Sequence, residues 1–340
     1  MRTLYILLFF AVLINASAQN LKSGGVLKPE QAIMDIRHYT IALDVDPVQQ
    51  SINGYTEIKL ITSQSASVLL FDLVNLLSVS KVWVNKKEQP FTHENDLIRI
   101  NLTSLLSAGN VIVKIQYGGK PGIATRPPWT GGFTWAKDST GNPWIAITCQ
   151  GEGAKIYYPC KDHPSDEPNE GAELIITVPK GLYVAGPGLL QKTTTKGNKS
   201  TFYWKTKYTI NNYSILFNIG KYKVVSRTYT TIDGNKVPMQ FYVLEEHQHK
   251  ARHHLDLFEQ SARMQEKYFG EYPFVNEKMA ICETPHLGME HQTLNAYGNQ
   301  FRYTKVGGKD FDWLLHHEFG HEWWANKVTD IDWADMWIQE

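Results

Sequence analysis

The chain has 340 residues, with 34 Lys+Arg against 34 Asp+Glu, a pI near 7.2, 42% hydrophobic and 12% aromatic residues. Balanced charge excludes the broad basic face that binds nucleic acid and the polybasic patch that holds a protein on acidic lipid. The apolar share is that of packed cores, and the length accommodates about two domains.

The chain opens with Arg2, an apolar run of eleven residues at 4–14, and Ala16-Ser17-Ala18 before Gln19. A positive start, a short apolar run and a small-x-small site form a secretory signal, here residues 1–18. Eleven residues are too few to cross a bilayer as a helix, so no transmembrane anchor is expected once the signal is removed. Export to a periplasmic or extracellular location follows. Cys149, Cys160 and Cys282 are an odd set in apolar surroundings, which reads as small buried thiols rather than a disulfide. Asn101-Leu102-Thr103, Asn198-Lys199-Ser200 and Asn212-Tyr213-Ser214 match the glycosylation sequon, a pattern that is mostly incidental.

From about residue 26 to 244 the text is strand-like, with alternating apolar and polar residues at 39–45, 54–60, 79–84 and 111–117. Asn-Gly, Gly-Gly and Pro turns separate the runs, and Asp233-Gly234 reads as a hairpin. The expectation is an antiparallel β-sandwich over residues 19–244. At Glu245 the text changes. Residues 247–269 carry Leu255, Phe258 and Ala262 at helical spacing and stop before Gly270, and a short apolar strand follows at 278–282. A helix after Gly307-Gly308, capped by Asp310 or Asp312, carries His317 and His321, and a second helix is expected to run into Glu340. The fold class is multidomain, β and then α/β, with the α/β part over residues 245–340.

His317-Glu318-Phe319-Gly320-His321 bears the chemistry. Histidines four apart on a helix share a face and lie about 6 Å apart along the axis, so both imidazoles reach one zinc ion. Glu318 stands beside the first histidine, where a carboxylate can take a proton from water. A catalytic zinc takes three protein ligands, and Glu340, nineteen residues past His321, is placed to be the third. His316 faces about 100° away from His317 and reads as a flank. The histidine-rich run at 245–254 lacks an acidic or cysteine partner at ligand spacing and reads as a solvated helix face.

This pattern resembles the zinc aminopeptidases of the aminopeptidase N type. The stretch from Trp323 to Glu340, with Asn326, Val328-Thr329, Asp335 and Trp337, is similar to that family's segment between second and third ligands. Leu287-Gly288-Met289-Glu290-His291 is similar to its Gly-x-Met-Glu-Asn exopeptidase motif, with Leu287 and His291 departing from it. Gln150-Gly151-Glu152 and Tyr158-Pro159-Cys160-Lys161-Asp162 resemble the block that closes the substrate cleft from the β domain.

The resemblance implies a β-sandwich followed by the first part of a thermolysin-like catalytic domain, with one Zn2+ held by His317, His321 and Glu340 and Glu318 as the catalytic base. It gives Glu290 and Glu152 the free amine of a peptide substrate, with Gln150, Gly288 and Met289 as further substrate contacts. Peptides with a free N-terminal amine are the expected partners, and nucleic acid is not. The rivals are a zinc endopeptidase, which has no use for an amine clamp, and a non-catalytic remnant. The family continues past its third ligand with helices that include an oxyanion-steadying tyrosine. Because this chain stops at Glu340, it is expected to be a poor enzyme by itself.

Overall fold

The computed structural model describes residues 22–340, so the expected signal at 1–18 lies outside the described residues. The elements that position the site are β1 (Met34–Asp46), β2 (Ser51–Thr62), β3 (Gly109–Gly119), β4 (Gly132–Lys137), β5 (Pro143–Thr148), β6 (Ala172–Pro179), β7 (Tyr222–Thr230), β8 (Lys236–Leu244), α1 (Ala251–Phe269), β9 (Met279–Glu283), β10 (Gly288–Met289), β11 (Asn295–Tyr297) and α2 (Trp313–Gly320).

β1, β2, β3 and β6 form the middle of an eight-stranded sheet, and β4 and β5 lie in a four-stranded one. Alternation explains the burial. In β1 the side chains of Ile36, Tyr39, Ile41, Leu43 and Val45 enter a core that also takes Leu69 and Ile98 from a three-stranded sheet and Ile145 and Ile147 from β5. The layers are those of a β-sandwich. One pairing departs from the antiparallel expectation, because β1 runs parallel to β6 over Tyr39–Asp44 and Ala172–Thr177. More than a hundred residues of intervening chain carry it back in that direction, which a hairpin cannot do.

A five-stranded sheet in the order β7-β8-β9-β11-β10 supports the site. β8 and β9 pair in parallel and are covered on both faces. Met239, Phe241, Val243, Met279 and Ile281 pack with the helices, while Tyr242, Leu244, Ala280 and Cys282 pack with the β core. Double coverage explains the unbroken apolar run at 279–282. The change of text at Glu245 therefore marks where helices begin, and the sheet itself joins residues from both sides of it.

α1 follows a 3-10 turn over Glu245–Lys250 and ends at Gly270 with φ 87°, a left-handed-side conformation open to glycine. α2 begins at Asp312, whose Oδ1 accepts from the Leu314 and Leu315 amides at 3.1 and 3.2 Å. Asp312 is itself held by the Tyr297 hydroxyl and the Asn299 amide. Gly307-Gly308 turns a hairpin between Thr304–Val306 and Lys309–Phe311, which leaves Asp310 outside the cap. Phe319 packs edge-on against Phe258 of α1, with ring centroids 4.8 Å apart. The expected second helix is instead a 3-10 segment, Trp333–Ile338, capped by Asp332. Six residues held by one cap sit in the tighter turn that short segments favour.

The histidine run at 245–254 is only partly solvated. His254 is fully buried against Phe241 and Tyr297, and His247 pairs with Glu283 at 2.6 Å. All three cysteines are free and buried.

Candidate metal centre and substrate cleft

His317 and His321 project from the last turn of α2 with their Nε2 atoms 3.3 Å apart. Two nitrogens bound at about 2.0–2.1 Å to one tetrahedral ion stand roughly 3.3–3.4 Å apart, so this pair fits a zinc ion. Glu340 brings Oε2 to 3.7 Å from His317 Nε2 and 4.0 Å from His321 Nε2. The three ligand atoms lie within 4.8 Å of one another. His321 Nδ1 meets the Trp324 carbonyl at 2.9 Å, a bond that places the proton on Nδ1 and leaves Nε2 as the free base. Burial pushes the His317 pKa down, aided by His321, which keeps the ring neutral and ready to ligate. Two imidazoles and a carboxylate are the donor set of a catalytic zinc.

Glu318 is buried at 7% exposure, and burial pushes its carboxyl well above the usual range, with Glu290 and Glu340 adding to the effect. A cation at the neighbouring site reverses that tendency. Gly288 lets β10 approach it closely, since a Cβ there would stand 2.2 Å from Glu318 Oε1 and 2.7 Å from Leu314 Cδ1. The glycine of the motif thus has a packing reason.

Glu290 is the best-connected acid of the site. Its Oε1 accepts from Gln150 Nε2 at 2.6 Å and from the Tyr213 hydroxyl at 3.0 Å. Its carbonyl accepts from Asn326 Nδ2 at 2.7 Å, and Asn211 Nδ2 donates to Asn326 Oδ1 at 3.1 Å. Donors from β-sandwich loops therefore fix an acid that directly follows the edge strand of the five-stranded sheet. Ligand atoms of Glu290, Glu318 and His321 also lie within 4.8 Å of one another.

Gln150, Gly288, Met289, Glu290, His317, Glu318 and Glu340 share one cleft of about 450 Å³. Glu152 does not join them. Its carboxylate rests against Gly131 and lines a separate cavity with Lys155 and Asp96. The chain turns after Gly151, so residues 150 and 152 address different spaces. Tyr158-Pro159-Cys160-Lys161-Asp162 also stays away from the cleft. Cys160 pairs its backbone with Asp72, and Lys161 is buried in an ion pair with Asp166 at 2.6 Å. His316 turns onto α1, where Ser261 Oγ lies 2.9 Å from its Nδ1.

Tyr213 and Trp129 went unread in the sequence. Tyr213 was hidden in a sequon whose Asn212 is buried and donates to the Lys161 carbonyl at 2.9 Å. Nothing local marked Trp129, which lines the cleft from the turn before β4.

A helix-borne histidine pair, a distant carboxylate and an adjacent buried glutamate, set in a cleft between a β-sandwich and an α/β layer, have the layout of a zinc metallopeptidase. No family model matches the chain. It is 24% identical over 320 residues to a leucyl aminopeptidase of Saccharolobus solfataricus, covering 91% of this chain and 38% of that protein. It is 23% identical over 325 residues to a leukotriene A-4 hydrolase of Xenopus laevis, covering 90% and 50%. The crystal structure of an M1 zinc metallopeptidase from Deinococcus radiodurans shares the fold with TM-score 0.70 at 21% identity, covering 90% of this chain and 68% of that one. The likeness is to zinc aminopeptidases of the aminopeptidase N type, and the chain spans half or less of the length of these two curated relatives.

Proposed function

We propose that this chain carries the metal centre and amine-recognition site of a zinc aminopeptidase that releases N-terminal residues from peptides. His317, His321 and Glu340 would hold the zinc, which when bound polarises the scissile carbonyl and acidifies water. β10 is the edge strand of its sheet, so Gly288 and Met289 offer backbone groups to an extended substrate. Glu290 accepts the substrate ammonium, and Gln150 and Tyr213 hold that carboxylate in place. Glu318 takes a proton from the attacking water and returns it to the departing amine.

The observation that carries this reading is the nearness of Glu290 to Glu318 and His321, all within 4.8 Å. An ammonium held by Glu290 puts the first peptide bond, rather than an interior one, at the base and the ligands. The test compares a peptide with its N-acetylated twin, which lacks the charge and keeps the bond. Cleavage of the free peptide alone is expected, and equal cleavage of both would replace this reading with an endopeptidase.

We also propose export, on the strength of residues 1–18. No helix among the described residues is long and apolar enough to cross a membrane. N-terminal sequencing of the mature protein is expected to begin at Gln19.

A further inference from the structure

Trp129 is 56% exposed, and the face it exposes lines the cleft that holds Glu290 and Glu318. It sits at the tip of a tight turn closed by two backbone bonds between Arg126 and Thr130, at 2.9 and 3.5 Å. The Arg126 guanidinium lies over the ring, 5.8 Å from its centroid. The base of the turn is clamped to β5, because a Cβ on Gly131 would stand 2.2 Å from the Thr148 carbonyl oxygen. The indole is therefore presented on a braced support.

Its location gives it a task. Gly132 pairs with Thr148, so the turn leaves the β4–β5 ladder at the same end as Gln150, which touches Glu290. Trp129 thus stands beside the amine clamp, in a cleft that Leu287, Met289 and Trp313 also line. Among the described residues no lysine or arginine lines the cleft itself, Arg126 lying on the Trp129 ring, and its three carboxylates, Glu290, Glu318 and Glu340, already have roles. We infer that Trp129 is a specificity-determining shelf that receives the side chain of the substrate's N-terminal residue and selects large uncharged apolar or aromatic ones. The inference rests on the aminopeptidase reading and adds a substrate class to it.

The test measures kcat and KM for the amides of L-phenylalanine, L-leucine and L-alanine in a C-terminally extended form of the wild type, Trp129→Ala and Trp129→Phe. Calorimetric binding of free L-phenylalanine and L-alanine runs in parallel. The phenylalanine-to-alanine ratio of kcat/KM is expected to fall about 10-fold or more in Trp129→Ala, through KM, and to recover in Trp129→Phe. The ratio of binding constants should fall likewise, a readout that needs no turnover. An equal loss for all three amides, or an unchanged binding ratio, overturns the shelf. Equal cleavage of N-acetylated peptides overturns the aminopeptidase reading instead, so the two failures are distinct.

Discussion

Gly288 and Glu318 meet so closely that a methyl group on the first would stand 2.2 Å from a carboxylate oxygen of the second. The contact joins the edge strand expected to hold substrate to the residue expected to move the proton. Gly288→Ala must push Glu318 off its position or lift β10, since Leu314 blocks the other side at 2.7 Å. The expected outcome is a fall in kcat of about 10²-fold or more with zinc content kept, and a loss of about 1–3 kcal/mol in stability from overpacking. Steady-state kinetics, metal analysis and urea denaturation of one variant check all three.

The roles of His317 and Glu318 separate by experiment. His317→Ala removes one of two imidazoles that stand 3.3 Å apart and should abolish stoichiometric zinc by elemental analysis. Glu318→Gln keeps the shape of a side chain proposed as base and not as ligand, and in a C-terminally extended form it should retain the metal while losing about 10²–10⁴-fold in turnover. Zinc retained in the first variant would move the metal site elsewhere. A near-normal rate in the second would assign the proton to another group.

What could be read in the sequence was what depends on local geometry. The histidine pair needs only the helical repeat, and the strands need only alternation. The Gln150–Glu290 bond spans 140 positions and was reachable only through a family resemblance, while Tyr213, which makes the second bond, left no pattern. Glu152 lines a different cavity from Glu290 because a glycine turn lets neighbouring residues face different spaces, and spacing does not record direction. The segment before Glu340 has helical composition, yet its six residues settle as a 3-10 turn.

Ala325 holds φ at 124°, where a side chain is strained and glycine is not. The turn persists because its neighbours determine it. The Ala325 amide donates to the Val328 carbonyl at 3.0 Å, and the Asn326 amide donates to the His321 carbonyl at 3.0 Å. Ala325→Gly relieves the strain but loses a buried methyl and raises the conformational entropy of the unfolded chain, both of which oppose folding. About 1–3 kcal/mol of strain, set against about 0.8 for the methyl and about 0.4–1 for chain entropy, leaves an expected net gain of about 0–2 kcal/mol, read as a higher urea midpoint at unchanged slope. A lower midpoint would show that the methyl matters more than the backbone.

His254 links stability to pH. It has no exposed surface, its Nε2 lacks a partner, and burial pushes its pKa down to about 3, with His253 adding slightly. Phe241, Tyr297 and Phe301 pack against the ring, and Tyr303 Oη lies 3.3 Å from Nδ1, so nothing there favours the imidazolium. In the unfolded chain the ring titrates near 6.5. Between these values the unfolded state binds the proton and the folded state does not, so this residue makes stability rise as pH rises from about 3 to 6.5 and contributes no slope above. His254→Phe removes the proton site and keeps an aromatic ring among aromatic rings. Its stability curve should be flatter than the wild type's by up to about 1.4 kcal/mol per pH unit in that window and parallel to it above pH 7. Denaturant titrations at pH 4.5, 5.5 and 7.5 measure the difference. Parallel curves throughout would mean that the ring takes up its proton in the folded state.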